Sequence, residues 1–324
     1  MLSAKTAYKR MYDKVKIWMD KAIVGEQFTT IADLLDEANT NINHQTGEVK
    51  IYGSLGGLKL SIFPNGIYIV GSLPKYMYGS NIYPLDRETT KRAFERLEDS
   101  LHTSLNEAKV TGFEFGANFV MRHGVESYLD RLGDMPRMLL YRFNRETLYY
   151  HNRGKKHPKT FCFYDKIAEA KKEQGTIPKG LQDANLLRCE IRLDGKLSKQ
   201  MNVPEVTPQT LSDKSFYRKV MQKLTDAYFS ISKINQLKLN FMSKINTVSD
   251  AFNVFVALLI SKVGESEIRR YLNELKDNSV FKDRNNYSRL KKKIQEVATK
   301  ANITDTDELI KELDDEFRNV GAYV

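Results

Sequence analysis

Short runs in which apolar and polar residues alternate dominate the chain from residue 15 to about residue 201. A period of two is the pattern of a strand with one buried face, and Gly, Pro and Asn bound these runs as they bound strands. Because helical patterns are interleaved with the runs, we expect an α+β fold with a largely antiparallel sheet and flanking helices. The predicted strands cover residues 58–63, 67–70, 110–119, 137–143, 159–164 and 186–193.

Two helices are predicted among these strands. The longer one covers residues 86–108, where four apolar residues recur on one stripe and charged residues fill the other positions. The second helix begins just after Tyr164, in a stretch rich in charged residues. The stripe of the longer helix is formed by Ala93, Leu97, Leu101 and Leu105.

The pattern changes near residue 214. Pro204 and Pro208 mark an irregular connection, after which apolar residues recur at helical spacing. A chain of 324 residues has room for two folded units. We therefore expect one domain over residues 1–214 and an all-helical C-terminal domain over residues 215–324.

Charge, cysteine content and hydropathy narrow the class of protein. The net charge of +10 favours a nucleic acid as partner, although many basic proteins bind none. Only Cys162 and Cys189 are present, which fits a reducing cytoplasm better than a secreted disulfide scaffold. The longest apolar run, residues 251–260, is far shorter than the ~20 residues that span a bilayer. We expect a cytoplasmic protein that does not bind membranes.

Two predicted strands carry a carboxylate on their polar face. In residues 110–119, Glu114 has Gly112 and Gly116 as its neighbours on that face, where they leave room for a close approach. In residues 186–193, Glu190 lies between Arg188 and Arg192. Each pattern has two interpretations. One is a solvated strand face; the other is a site where the carboxylates bind a divalent metal and the arginines bind phosphates.

Tyr164 lies where an aromatic strand turns into a charged helix. If Phe161 and Phe163 pack inward, the tyrosine projects from the opposite face, close to Lys166. A phenol has a pKa of about 10, so its attack on a phosphodiester needs a nearby cation or base. The alternative is a packing residue with a polar tip, since the chain contains 17 tyrosines.

Four stretches, in this order, resemble the phage and plasmid replication proteins of the filamentous-phage gene II type. They are residues 71–81 (GSLPKYMYGSN), 110–119 (VTGFEFGANF), 161–169 (FCFYDKIAE) and 187–192 (LRCEIR). The resemblance covers roughly residues 15–197 and implies a Rep/relaxase-like nicking domain. Such a domain starts rolling-circle replication as a metal-dependent, site-specific single-strand DNA endonuclease and ligase. It leaves a free 3′-hydroxyl that primes synthesis.

The resemblance also implies roles for particular residues. Tyr164 matches the nucleophile that forms a 5′-phosphotyrosyl intermediate, and Lys166 would support the phenolate or the phosphate. Glu114 and Glu190 match positions with metal-binding and acid/base roles. Relatives often have Arg and Asp where this chain has Gly112 and Glu114, so one phosphate contact is expected to be missing.

A divalent metal, Mg²⁺ or Mn²⁺, is the cofactor that carboxylate ligands favour. The five histidines include no pair of the His-hydrophobic-His type. His151 is a candidate third ligand, since it shares a strand face with Thr147 and Tyr149. The alternative for a lone histidine near a loop is a plain surface residue.

Basic residues predict how DNA is held. The loop over residues 152–159 carries Arg153, Lys155 and Lys156 and suits a clamp on the DNA backbone, or else it is a solvated hairpin. Arg188 and Arg192 are further candidates for phosphate binding. Lys75 lies in a stretch with Tyr76 and Tyr78, whose rings can stack on bases, so it is a further candidate for binding DNA. The alternative is that one of the two tyrosines packs in the core.

The C-terminal helices predict a further contact with duplex DNA, since a basic helix follows residues 264–275 in an order compatible with helix-turn-helix geometry. A face used for solubility or dimerisation is the alternative. The basic residues of that helix are Arg289, Lys291, Lys292 and Lys293.

The expected partners are origin DNA, single-stranded at the nick, with a host helicase and polymerase. Two other functions fit the same residues. The chain is then a non-catalytic protein that binds and melts an origin, or a mobilisation relaxase that uses the same cut for transfer.

Overall fold

The computed structural model of the chain describes residues 11–83, 85–152, 154, 158–234, 245–300 and 307–322. In this part of the chain, ten strands form one antiparallel sheet in the order β2-β3-β4-β5-β1-β6-β10-β9-β8-β7. The strands are β1 (Met11–Asp20), β2 (Asp36–Ile42), β3 (Val49–Leu55), β4 (Leu58–Phe63), β5 (Gly66–Ser72), β6 (Lys109–Met121), β7 (Met138–Phe143), β8 (Thr147–Asn152), β9 (Lys159–Asp165) and β10 (Asn185–Asp194).

Helices surround this sheet, which confirms the predicted α+β class with a largely antiparallel sheet. They are α1 (Lys21–Val24), α2 (Leu73–Tyr78), α3 (Arg87–Leu101), α4 (Val125–Leu129), α5 (Lys166–Lys172), α6 (Leu197–Met201), α7 (Pro208–Ser212), α8 (Lys214–Phe229), α9 (Val248–Asp277), α10 (Asn285–Lys300) and α11 (Glu308–Ala322). None of the helices in the described ranges has both the length and the apolar character needed to cross a bilayer.

The six predicted strands are present as β4, β5, β6, β7, β9 and β10. The longer predicted helix is wrong at its C-terminal end, since α3 stops at Leu101 and not near residue 108. His102 adopts a left-handed φ of 50°, and its N–H bonds back to the Glu98 and Asp99 carbonyls. This is a helix C-cap. Leu105 still reaches the core from the turn that follows.

One face of the central strands is the hydrophobic core. Phe113, Phe115 and Phe119 of β6 point into it and are almost fully buried. Helices α8 and α11 cover this face, and the Phe119 and Phe317 ring centroids lie 4.9 Å apart. The opposite face of the same strands is polar and carries the candidate site.

The described elements after residue 213 are all helices, and two of them join the core of the sheet. Val220 of α8 and Phe317 of α11 belong to the same buried cluster as the phenylalanines of β6. Helices α9 and α10 instead pair with each other as a hairpin, in which the Tyr287 hydroxyl donates to the Leu275 carbonyl. The division into domains at residue 214 stays a prediction.

Candidate active site

Three rows of side chains cross the polar face of strands β6, β10, β9 and β8. Antiparallel pairing places directly opposed residues side by side on the same face. The described pairings give one row of Glu114, Arg192, Thr160 and His151, a second of Gly116, Glu190, Cys162 and Tyr149, and a third of Asn118, Arg188, Tyr164 and Thr147.

Tyr164 lies in the interior of this face and only 8% of its surface is exposed. Its hydroxyl donates to Glu190 Oε1 at 2.6 Å and accepts a hydrogen bond from the Arg188 guanidinium. Phe161 and Phe163 point into the core, as the alternation predicts. Burial and the Glu190 charge raise the pKa of Tyr164 well above its usual value. The phenol therefore needs a base before it can act as a nucleophile.

Glu190 has its two oxygens on different partners. Oε1 accepts from Tyr164 and lies 3.5 Å from Arg188 Nη1, whereas Oε2 lies 2.9 Å from Arg192 Nη2. Burial alone would raise the pKa of Glu190, but the charges of the two arginines lower it below the usual value. Glu190 is therefore held in its ionised form, in which it accepts the hydrogen bond from the tyrosine hydroxyl.

Arg188 is fully buried and forms the centre of a polar network. Its Nε donates to Asn118 Oδ1 at 2.7 Å, and its Nη1 lies 3.2 Å from Asp13 Oδ2. A third guanidinium nitrogen, Nη2, donates to the Asn81 carbonyl. Burial and these partners turn the guanidinium toward Tyr164, and binding of DNA by Arg188 stays a prediction.

Glu114 is the more accessible of the two carboxylates. Its Oε1 lies 3.7 Å from Arg192 Nε, and a fifth of its side chain remains exposed. Burial raises the pKa of Glu114 to about 7, against the opposing effect of the Arg192 charge. Glu114 thus exchanges a proton near neutral pH, whereas Glu190 stays ionised.

Gly116 allows Glu190 to fit on this face. A Cβ at residue 116 would lie 2.4 Å from the Cys189 carbonyl oxygen and 2.9 Å from Glu190 Cγ. Real Cβ atoms do not approach backbone that closely. The bare position beside Glu114 is therefore filled by a neighbouring strand and its carboxylate.

Lys166, predicted to assist Tyr164, is buried at the start of α5. Its Nζ donates to Asn81 Oδ1 at 2.8 Å and pairs with Glu169. Burial lowers the pKa of Lys166. The cation that bonds to the tyrosine hydroxyl is Arg188, and Lys166 holds the Asn81 segment beside it.

The three predicted metal ligands do not converge. Glu114 and His151 stand at opposite ends of one row, three strand spacings or roughly 14 Å apart. His151 Nδ1 is bonded to Thr160 Oγ1 at 2.9 Å, and both oxygens of Glu190 have partners. Within the described residues no group of three His, Cys, Asp or Glu side chains has the arrangement of a metal site. The three residues therefore do not fit a common ion in this arrangement, because Arg192 lies between Glu114 and Glu190 and Thr160 is bonded to His151.

The predicted DNA contacts have different outcomes. Lys75 is on the surface, where it pairs with Glu173 at 3.1 Å, and Arg192 is one-third exposed at the edge of the network. Tyr76 is a core residue whose hydroxyl bonds to α3. Arg153, Lys155 and Lys156 lie outside the described residues.

Sequence reasoning missed three residues of the network. Asp13 comes from β1, whose Val15, Ile17 and Met19 alternate with polar residues in a readable strand pattern. Asn81 and Asn118 are polar residues inside the resembling segments, but their sequence positions do not reveal that they meet Arg188.

Tyr149 is a second tyrosine on this face and is more exposed than Tyr164. Its ring stacks on His151 with centroids 5.6 Å apart, and the Arg192 guanidinium lies 5.9 Å from the ring centre. Tyr150, by contrast, points into the core and donates to the Gly133 carbonyl.

Comparison with known proteins identifies the family of the chain. No curated protein is significantly similar to the chain. The family described as the N-terminal part of the phage replication-associated protein of the gene II type matches residues 11–222. The match begins with β1, ends inside α8 and includes the whole polar network. The chain therefore belongs to this family of phage replication-associated proteins, and its role is that of a replication initiator.

Proposed function

We propose that the chain starts rolling-circle replication by nicking one strand of origin DNA through a 5′-phosphotyrosyl intermediate on Tyr164. The observation that carries this proposal is the position of the Tyr164 hydroxyl between a carboxylate and a guanidinium. The carboxylate of Glu190 accepts the phenolic proton, and the guanidinium of Arg188 stabilises the phenolate. A Rep/relaxase-like nicking domain is the fold that goes with this chemistry.

In the nicking step, the Tyr164 oxygen attacks the scissile phosphorus while its proton moves to Glu190. The bond from phosphorus to the 3′ oxygen breaks, and that oxygen needs a proton as it leaves. Glu114, with a pKa of about 7, is suited to supply it. Two carboxylates whose pKa values are shifted apart are the usual basis for separate base and acid roles. Rejoining reverses the same transfers.

Negative charge increases on the phosphate as the bond breaks. Arg192 is near both carboxylates and is partly exposed, so it is the group that stabilises this charge. Mg²⁺ or Mn²⁺ stays a predicted cofactor.

Tyr149 is a second candidate nucleophile. It is on the open side of the polar face with Arg192 beside its ring, whereas the Tyr164 hydroxyl is buried. If Tyr149 reacts, Arg192 lies beside its ring, and the carboxylates of Glu190 and Glu114 are close enough for their charges to raise its pKa. Mapping of the DNA-linked peptide separates the two tyrosines.

Surface residues near the network suit single-stranded DNA. Tyr78 and Tyr83 are both exposed and pack edge to face with ring centroids 6.3 Å apart, which offers rings on which bases can stack. Lys75 precedes them on α2. The basic helix α10 is proposed to contact duplex DNA of the origin, where host helicase and polymerase would then act.

The test incubates the chain with supercoiled plasmid that carries the replication origin of its own element, in the presence of Mn²⁺. We expect relaxed circles and a protein-linked 5′ end. Binding and melting of the origin without cleavage would support the non-catalytic initiator instead. Cleavage at a transfer origin, without cleavage at the replication origin, would support the mobilisation relaxase.

A further inference from the structure

The hairpin of α9 and α10 has arms of unequal length. Helix α9 has 30 residues and α10 has 16, which correspond to about 45 Å and 24 Å. The end at which the chain passes from α9 to α10, which we call the closed end, is held together by Tyr287. Its hydroxyl donates to the Leu275 carbonyl, and its ring packs on Phe281. The first half of α9 therefore extends beyond the end of α10.

This first half of α9 is apolar. Residues 251–261 (AFNVFVALLIS) contain no charged side chain. Ala257 is buried and Val254 is half-buried, so one side of the helix is partly covered. A helix that is apolar around its circumference is normally buried on all sides.

The other side carries a row of exposed apolar residues, which we call the apolar stripe. Its members have exposed fractions between 45% and 88%. They recur at intervals of four, three, four and four residues, which places them on one side of a helix in the manner of a coiled-coil seam. The apolar stripe consists of Val248, Phe252, Phe255, Leu259 and Val263.

We propose that the apolar stripe binds the same stripe of a second copy of this chain, with the two α9 helices antiparallel. With the two-fold axis between residues 255 and 256, Val248 of one copy lies against Val263 of the other copy. Phe252 likewise lies against Leu259. The stripe is thus complementary to itself under a two-fold axis, which is the condition for an isologous dimer.

The area of the apolar stripe is large enough for an interface with a second copy. Each copy exposes on the order of 500 Å² of apolar surface there, so pairing removes about 1,000 Å² from water, the lower limit for a specific interface. The absence of charge in residues 251–261 matches the depletion of charged side chains at the centre of interfaces. Phe252 and Phe255 lie near the middle of the stripe and are its aromatic anchors.

The first test is analytical ultracentrifugation of the full chain without DNA, over a wide range of concentration. The parent is expected to be a dimer that dissociates on dilution. The double variant Phe252→Lys, Phe255→Lys should raise the dissociation constant by about 30-fold or more. Both side chains are exposed, and an unchanged circular dichroism spectrum verifies folding.

The matched control is Val280→Lys, at an equally exposed apolar residue near the closed end of the hairpin. It should dimerise like the parent. A parent that stays monomeric at every concentration, or a double variant that dimerises as well as the parent, overturns the proposal. A monomeric parent that binds anionic vesicles, with a double variant that does not bind them, also overturns the proposal, because the apolar stripe then binds a membrane.

Cysteine cross-linking tests the antiparallel arrangement, since native Cys162 and Cys189 are buried. Phe255→Cys should form a disulfide between copies, because position 255 lies next to the two-fold axis. A mixture of Val248→Cys and Val263→Cys chains should link, and Val248→Cys alone should not. A disulfide between two Val248→Cys chains would contradict the antiparallel arrangement.

Discussion

The Tyr164 hydroxyl donates to Glu190 Oε1 over 2.6 Å inside the polar face of the sheet. The two residues are on neighbouring strands, and Arg188 touches both of them. Two arginines keep this buried carboxylate in its ionised form, in which it accepts the phenolic hydrogen bond. This pair is the basis of the proposed nicking chemistry.

Replacement of Glu190 by Gln should slow nicking by about 10²–10⁴-fold, the usual contribution of a general base. Binding of single-stranded origin DNA, measured by fluorescence anisotropy, should change little. Glu95→Gln, on the exposed side of α3, is the control and should nick like the parent. Parental nicking by Glu190→Gln would remove Glu190 from the mechanism.

The pH dependence of stability should reveal Glu114. Its pKa is about 7 in the folded chain and near 4.5 when unfolded, so between these values the folded state binds the extra proton. The free energy of unfolding therefore decreases as pH rises from 4.5 to 7. Glu114→Gln should lose that decrease in urea titrations at a series of pH values. An unchanged pH profile would mean that Glu114 is not buried as described.

Protonation of Glu114 should also affect the rate of nicking. If Glu114 protonates the leaving 3′ oxygen, the single-turnover rate of nicking should fall as pH rises through about 7. The fall should disappear in Glu114→Gln, which should be slow at every pH. A rate in Glu114→Gln that still falls near pH 7 would assign the titration to another group.

Asp13→Asn should destabilise the fold by about 3 kcal/mol, because it leaves the charge of buried Arg188 short of a partner. The control is Asp194→Asn, which breaks a pair with Lys16 whose members are both about one-third exposed. That change should cost less than about 1 kcal/mol. Equal losses in urea unfolding would show that Asp13 is no more important than a surface ion pair.

His151→Ala should leave the metal dependence of nicking unchanged. His151 is roughly 14 Å from Glu114 along its row, too far to share an ion with it. The measurement is the Mn²⁺ concentration that gives half-maximal nicking. A tenfold or greater increase in that concentration would make His151 a ligand after all.

The sequence predicts the strands well where apolar and polar residues alternate, as in β6, β9 and β10. It also places Tyr164, Glu114 and Glu190 on the same side of the sheet, since strand periodicity determines the face. The order of the strands in the sheet cannot be predicted from this pattern, because strand pairing depends on contacts between segments that are distant in the sequence.

Burial of the charges could not be predicted from residue types. From the sequence, Arg188 is expected to be a cation on the surface. Its interior position is explained by Asp13, Asn81 and Asn118, which surround the guanidinium. The spacing of the predicted metal ligands could not be predicted either, because the row that joins Glu114 to His151 also places Arg192 and Thr160 between them.

The most direct test compares Tyr164→Phe with Tyr149→Phe on supercoiled origin DNA. Each change removes one hydroxyl from the same polar face and leaves the ring in place. Tyr164→Phe should abolish both relaxation and the protein-linked 5′ end, whereas Tyr149→Phe should retain both. Parental nicking by Tyr164→Phe, or a DNA-linked peptide that contains Tyr149, would contradict the assignment of Tyr164 as the nucleophile.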